Sequence, residues 1–424
     1  MLYFAEGSHN SVISLEKASG YLDSMLESLG DLRRVLILPP DYTRLYSWAG
    51  ELTVLLYEKL KDRSHIEIMP TLGTHLPMTD SELNAMFPGI PHDVFRAHDW
   101  RNDIIRLGDV PAEFIREVSE GKLKFPLACE INRSLVEGRW DRIISVGQLV
   151  PHELAGIANF SKNICIGAGG EDTISKTHYV AAVYGLERLM GRVENPMRKI
   201  LRYMEQHHLK GLPISYVMTV RGQDNMGTVV TRGLFGGDDE ECYRIGAELC
   251  RDISITFLDK PFQKVVVYMD PEEFKTTWVG NKSIFRTRMI IDDGGEIVIM
   301  APGVKQFGED TANDRFIRKF GYHDTDYMVN LVNTVGEASS NITAVSHIII
   351  SSPENRFTVT WCPGFLTKEE VESVNFNYAD CSTMMKRYDP GKLAPGVNIL
   401  PDGEEIFFVP RPALGLWAAK DRFK

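Results

Sequence analysis

An α/β protein of two domains is what this sequence predicts. Short apolar runs that stop at proline or glycine alternate with longer stretches of helical periodicity. The same alternation starts again after a break at Asp259-Lys260-Pro261. No internal repeat of about 20–50 residues replaces this pattern by a solenoid or propeller. The chain has 424 residues, 43% hydrophobic and 25% charged, an ordinary globular composition. A chain of this length buries a large core without a disulfide or metal staple. The expected domains are residues 1–259 and 260–424.

In chain order, Val35-Leu36-Ile37-Leu38 reads as a buried strand ended by Pro39-Pro40, with Asp41 placed to cap the next element. A helix is expected over Tyr46–Lys61, then a strand Ile66–Met69 stopped by Pro70 and a turn at Gly73. Arg142–Val146 is the next strand. Asn195-Pro196 opens a helix whose Met197, Ile200, Leu201 and Met204 share one face, and Gly211 ends it. Ser215–Val220 and Gly227–Thr231 read as paired strands, with a helix over Asp239–Arg251 after them. In the second domain the expected strands are Lys264–Tyr268, Glu296–Met300, Val345–Ile350 and Phe357–Trp361. A turn at Leu400–Gly403 joins the last two, Val397–Leu400 and Glu405–Val409, and the tail after Pro410 could pack back on the first domain.

Several function classes are disfavoured at once. A net charge of −11 argues against a nucleic-acid partner. No apolar run reaches the roughly 18 residues of a membrane span, so no membrane partner is expected. Met1–Gly7 lacks a basic stretch before an apolar one, so no signal peptide is expected. The six cysteines form no C-x-x-C pair, which suits a reducing cytosol and a cytoplasmic protein.

Three polar groups come after three separate strands: Asp41-Tyr42-Thr43-Arg44, Gly73-Thr74-His75 and Pro151-His152-Glu153. Ligands of open α/β sheets bind outside the carboxyl ends of the strands, so the placement suggests a site. Singly, each has a plain reading: a loop histidine, a helix cap, a surface arginine. Farther on stand Lys162, Gly167, Gly169-Gly170 and His178. The glycines fit either a cradle for a phosphate-bearing cofactor or a flexible connection. His207-His208 suit a helix C-terminus and Asp238–Glu241 a helix N-terminus. His92 and His98 fall in a loop, Asp292–Gly295 in a turn, and Cys165 in the core.

Taken in order, D-x-T-R at Asp41–Arg44, G-T-H at Gly73–His75, P-H-x-x-A-G at Pro151–Gly156, Lys162 and His178 resemble the lactate racemase family, the nickel-pincer-nucleotide racemases and epimerases of 2-hydroxy acids. Ile131-Asn132-Arg133, Gly294-Gly295 and Pro401-Asp402-Gly403 extend the resemblance from Val35 to Asp402. It implies two α/β domains with the active site in the cleft between them. It implies a cofactor, pyridinium-3-thioamide-5-thiocarboxylate mononucleotide carrying Ni, and cofactor-maturation enzymes as partners. By resemblance Lys162 is the cofactor tether, His178 the nickel ligand, and His75 and His152 the acid/base residues. Asp41, Arg44 and Lys282 line the cofactor pocket, with Arg44, Lys282 and Trp278 toward the substrate. Two departures stand out. The family usually carries G-G-R-K before the tether, whereas this chain has Asn159-Phe160-Ser161-Lys162. Lactate racemase carries Tyr-Gln before the second-domain lysine, whereas this chain has Trp278-Val279. The second replacement implies a 2-hydroxy acid larger or more polar than lactate, including aldonates.

The chemistry such a site must perform is demanding. Inverting a carbon that bears H, OH and a carboxylate requires a planar intermediate, and hydride removal coupled to loss of the hydroxyl proton gives a 2-keto acid. Histidine moves protons near neutral pH, arginine fixes a carboxylate, and the hydride acceptor has to be a cofactor. Two other readings use the same residues: a zinc hydrolase built on His75, His152 and His178, and a non-catalytic relative that binds a sugar acid or nucleotide.

Overall fold

A computed structural model describes residues 1–224, 228–412 and 415–423. The chain divides into two compact units. One comprises Met1–Val180 and Leu189–Ser254; the other comprises Ala181–Arg188 and Ile255–Lys424. Both are α/β.

The first unit is built on a six-stranded sheet. From one edge to the other its strands are His65–Ile68, Arg34–Leu38, Arg142–Leu149, Ile214–Gln223, Val229–Gly237 and Leu2–Gly7. The first four run parallel. Val35 to Leu38, Ile143, Ile144 and Val146 are wholly buried, the near-continuous apolar run of a strand covered on both faces. Helices Leu15–Leu29 and Ala49–Leu60 contribute Leu22, Met25, Leu52 and Leu56 to the same core. The helix opened by Asn195 spans Pro196–His207; the Asn195 side chain accepts from Arg198 N at 3.0 Å, and Met197, Ile200, Leu201 and Met204 are buried as their spacing requires. Gly227 lies outside the described residues; its strand is defined over Val229–Gly237.

The second unit carries another six-stranded sheet, in the order Asn377–Tyr378, Thr358–Pro363, Ile291–Ala301, Phe262–Tyr268, Glu405–Val409, Gly396–Ile399. All neighbours are parallel except the last pair, a hairpin turned at Pro401-Asp402-Gly403. Asp292–Gly295 is not a free turn; it is an irregularity inside the strand Ile291–Ala301, with Gly294 at φ +74°. The tail strand Leu416–Ala419 pairs in parallel with Ile255–Leu258, in this same unit rather than on the first.

Val345–Ile350 is a helix, not a strand. It lies in Ile342–Ser351, capped by the Asn341 side chain, which accepts from Ala344 N at 3.1 Å. A short buried apolar run has the same appearance in either state. The cap and the polar residues inside the run decide the matter: Ser346 and Ser351 bond back to the carbonyls of Ile342 and His347, four residues earlier. Among the described residues no helix is long and apolar enough to cross a membrane.

Candidate active site

In the first sheet the chain leaves Arg34–Leu38 for the edge strand, then returns to place Arg142–Leu149 on the other side of Arg34–Leu38. That reversal opens a crevice at the strands' carboxyl ends. The three adjacent strands there are those that lead into Asp41, His75 and His152.

Beyond Pro39-Pro40, Asp41 caps the 3₁₀ turn Tyr42–Ser47, its Oδ1 accepting from Thr43 N at 3.2 Å. Its Oδ2 accepts from His75 Nδ1 at 2.5 Å. Burial alone would raise the Asp41 carboxyl, but the bonds from His75 and Thr43 and the charge of Arg44 hold it below its ordinary value. An ionised carboxylate only accepts. The His75 proton therefore sits on Nδ1, leaving the Nε2 lone pair free on a side chain that is 56% exposed. Arg44 is exposed on the same turn.

His152 sits in a tight hairpin, Pro151–His152 against Gly156–Ile157. Only glycine serves at 156: its φ is +75°, and a Cβ there would lie 2.0 Å from the Arg192 carbonyl oxygen. The turn aims Leu154 N at His152 Nδ1, 3.0 Å away. Burial pushes His152 down to about 3, with Glu153 opposing and Lys162, Arg44 and His178 adding to the push.

Lys162 opens a π-helical turn, Asn163–Gly167, closed by Ala168 N donating to Asn163 O at 3.1 Å. Such turns recur at functional sites. The two residues at the positions where the resembled family carries glycines, Asn159 and Phe160, have φ of +74° and +58°. The glycine-like backbone has thus been kept without glycine. Phe160 N donates to Asn159 Oδ1 at 2.6 Å, and the Phe160 ring packs 4.3 Å from Tyr216 and 5.4 Å from Tyr243. Arg198 donates to the carbonyls of Ile157 and Asn159 from beneath. Burial, and after it the charge of Arg44, lowers the Lys162 amine to about 8.

His178, on helix Glu171–Tyr184, donates from Nδ1 to Ile174 O at 2.6 Å. A carbonyl only accepts, so Nε2 keeps its lone pair. Burial lowers the basicity of this imidazole as well.

Asp41, Arg44, His152, Glu153, Lys162 and His178 thus form one electrostatic cluster, each acting on the protonation of others. His75 is tied to it through Asp41. Trp278 and Lys282 belong to the second unit. Trp278 stacks on the buried His347 at 3.7 Å, and His347 Nε2 accepts from Asn281 Nδ2 at 3.2 Å. Lys282 opens the helix Lys282–Thr287 and is exposed. Gly167, Gly169 and Gly170 form neither a loose connection nor an open cradle. Added Cβ atoms would lie within 2.8 Å of Thr71, Cys165 and Glu130 respectively, so these glycines let the chain pack on itself. Among the described residues no three His, Cys, Asp or Glu side chains could hold a metal together. The three-histidine zinc site is therefore not formed.

Residues 21–187 match the family described as lactate racemase N-terminal domain. The chain carries a domain of the lactate racemase family. Its fold resembles that of a Thermotoga maritima protein solved by structural genomics, with 25% identity, a TM-score of 0.79, and coverage of 98% of this chain and 100% of that one. It also resembles the lactate racemase apoprotein from Thermoanaerobacterium thermosaccharolyticum, with 20% identity, a TM-score of 0.68, and coverage of 92% and 88%. No curated protein matches the sequence.

Sequence reasoning missed Arg198 and Glu205, whose helix read simply as amphipathic, and His347, whose segment read as a strand. His98, set aside as a loop residue, is buried and donates to Gly169 O at 3.0 Å. Only the arginine's inward placement among Met197, Ile200 and Leu201 hinted at a role.

This packing sets two expected outcomes. Phe160→Gly removes left-handed strain of about 1–3 kcal/mol but loses a buried ring worth about 3–5 kcal/mol. Urea unfolding should therefore show a variant less stable by about 2 kcal/mol. Glu205, which accepts from Ser161, is raised by burial and Glu240 from 4.5 to about 7. The protonated folded form is favoured, so this group's contribution is lost as pH rises from 4.5 through 7. Glu205→Gln should be more stable than the parent by about 2 kcal/mol at pH 8, with the difference closing near pH 4.5 in a pH series of unfolding curves.

Proposed function

We propose that this protein is an isomerase, a racemase or epimerase of a 2-hydroxy acid that works with a nickel-pincer nucleotide. The observation that carries the reading is the convergence of His75, His152, Lys162 and His178 at one end of the first sheet, with Asp41 orienting His75. The donor set fits the cofactor. A nucleotide that brings its own carbon and sulfur donors needs one neutral imidazole from the protein. His178 supplies it, its Nδ1–H held by Ile174 O and its Nε2 lone pair free. A tether needs a nucleophilic amine. With Lys162 lowered to about 8, about half of it is neutral at pH 8.

When bound, the cofactor supplies a reversible hydride acceptor. The residues of the chain do the rest. His75 Nε2 takes the substrate hydroxyl proton, and Asp41 stabilises the imidazolium that results. Arg44 offers a guanidinium to the carboxylate. His152 faces the substrate from the strand on the other side of the crevice. Trp278, fixed on His347, presents bulk where lactate racemase carries Tyr-Gln, which favours a larger or more polar acid, aldonates among them.

Protein produced in a host that makes the cofactor should exceed its sequence mass, with the adduct on the Lys162 peptide; an unmodified Lys162 in active protein would refute the tether. His178→Ala should lose nickel, by metal analysis, while its circular dichroism stays that of the parent. In a screen of 2-hydroxy acids read by chiral chromatography, a larger acid should turn over faster than lactate. Lactate as the best substrate overturns the role given to Trp278.

A further inference from the structure

The two imidazoles offered to the substrate are fixed in opposite tautomers. His75 Nδ1 faces an ionised carboxylate at 2.5 Å, a partner that only accepts. His152 Nδ1 faces the backbone N–H of Leu154 at 3.0 Å, a partner that only donates. Neither contact involves a hydroxyl or a water that could reverse its role, so both assignments come from the partner's chemistry. Neutral His75 carries its proton on Nδ1 and a lone pair on Nε2. Neutral His152 carries a lone pair on Nδ1, already used, and its proton on Nε2.

We propose that His152 acts as a neutral hydrogen-bond donor to a substrate oxygen through Nε2–H, and that His75 alone accepts the hydroxyl proton. This rests on the 2-hydroxy acid reading and divides the labour within it.

For His152 to serve as a base, its Nε2 would have to be bare, which places the proton on Nδ1 against the Leu154 N–H. Two donors would then face each other inside a hairpin held by the Pro151–Ile157 and His152–Gly156 pairs. Turning the ring over does not help, because it exchanges Nδ1 for a carbon and leaves the Leu154 N–H unpaired in a buried site. For His152 to give up its Nε2 proton from the neutral state would leave an imidazolate, with a positive Arg44 and Lys162 nearby but no acid to restore the proton. The arrangement open to it is donation without transfer. In the proposed step the substrate O–H bond breaks and its proton goes to His75 Nε2. The C2–H bond breaks with its electron pair going to the hydride-accepting cofactor, and C2=O forms. The His152 Nε2–H bond stays intact throughout and stabilises negative charge on the substrate oxygen, as a prepositioned neutral donor does.

Nitrogen-15 spectra of full-length protein labelled in histidine, assigned through His75→Gln and His152→Gln, read the tautomers directly. The expected result is a protonated Nε2 and bare Nδ1 for His152, and the reverse for His75. A protonated Nδ1 at His152 overturns the proposal. This measurement stands whether or not any 2-hydroxy acid proves to be a substrate, so failure of the functional reading shows separately, as absence of turnover by the parent. In cofactor-loaded enzyme, His152→Gln keeps an N–H near the ε position and should lose no more than about tenfold in kcat, about the value of one hydrogen bond. His152→Asn keeps an acceptor for Leu154 but no donor at the ε position and should fall further. His75→Gln should fall by about 10²–10⁴-fold. A His152→Gln that falls as far as His75→Gln at equal nickel and equal Lys162 adduct would show His152 to be a base and overturn the proposal.

Discussion

The reversal of strand order around Arg34–Leu38 is the constraint from which the site arises. A chain that pairs one strand on each side of its starting strand cannot cover the gap between the two outgoing connections with either of them. What lies at that gap must be loop, and here it is two loops of opposite character. The one after Leu38 is polar, short and capped by Asp41; the one after Leu149 is a hairpin folded so tightly that residue 156 admits no side chain. The first holds an exposed histidine by its carboxylate, the second a buried histidine by its main chain. The difference in burial between His75 and His152 is thus a consequence of topology.

The approach to Lys162 shows how strongly the backbone path is held. Left-handed conformation at two successive residues would ordinarily select glycine. This chain uses asparagine, which tolerates it, and phenylalanine, which does not. The aromatic box of Tyr216 and Tyr243, with Arg198 over the Tyr243 ring at 4.0 Å, supplies the packing that offsets the strain. The lysine is positioned by an apolar anchor where a pair of glycines would leave the path soft. A backbone conformation can therefore persist under a change of the residues that favour it, provided another source of free energy replaces them.

Much of this was legible in the sequence, and the failures have physical causes. Strands buried on both faces announce themselves as apolar runs stopped by proline, which is why Val35–Leu38 and Arg142–Val146 were plain. The helix at Asn195 carried a cap, a first-turn proline and a clean stripe. The run at Val345–Ile350 had no periodicity to read, because a helix buried on all sides has no polar face. The residues His75, His152, Lys162 and His178 were visible as types at spacings. Their tautomers were not, since these depend on which carbonyl, carboxylate or amide each ring meets in space. Phe160 could not be seen as strained, because a φ value leaves no trace in a residue's identity. The glycines at 167–170 were ambiguous for the same reason that glycine always is: close approach to a ligand and close approach to the chain's own backbone require the same missing Cβ.

The electrostatics of the cluster point in one direction. Arg44, Lys162, His152 and His178 each make it harder for the others to carry positive charge, and burial adds to this for the last three. Asp41 and Glu153 oppose it only in part. The outcome is two buried or half-buried imidazoles held neutral, an amine of reduced basicity and one permanent cation on an exposed turn. Neutral nitrogen is what a metal and an electrophilic cofactor arm require of their ligands, since a protonated nitrogen has no lone pair to give. The same crowding leaves an excess of positive potential that an anion entering the crevice would relieve. A carboxylate substrate therefore strengthens the site it enters: it lessens the repulsion between Arg44 and Lys162 while leaving the imidazoles, shielded by burial, in the neutral forms that their hydrogen-bond partners have chosen.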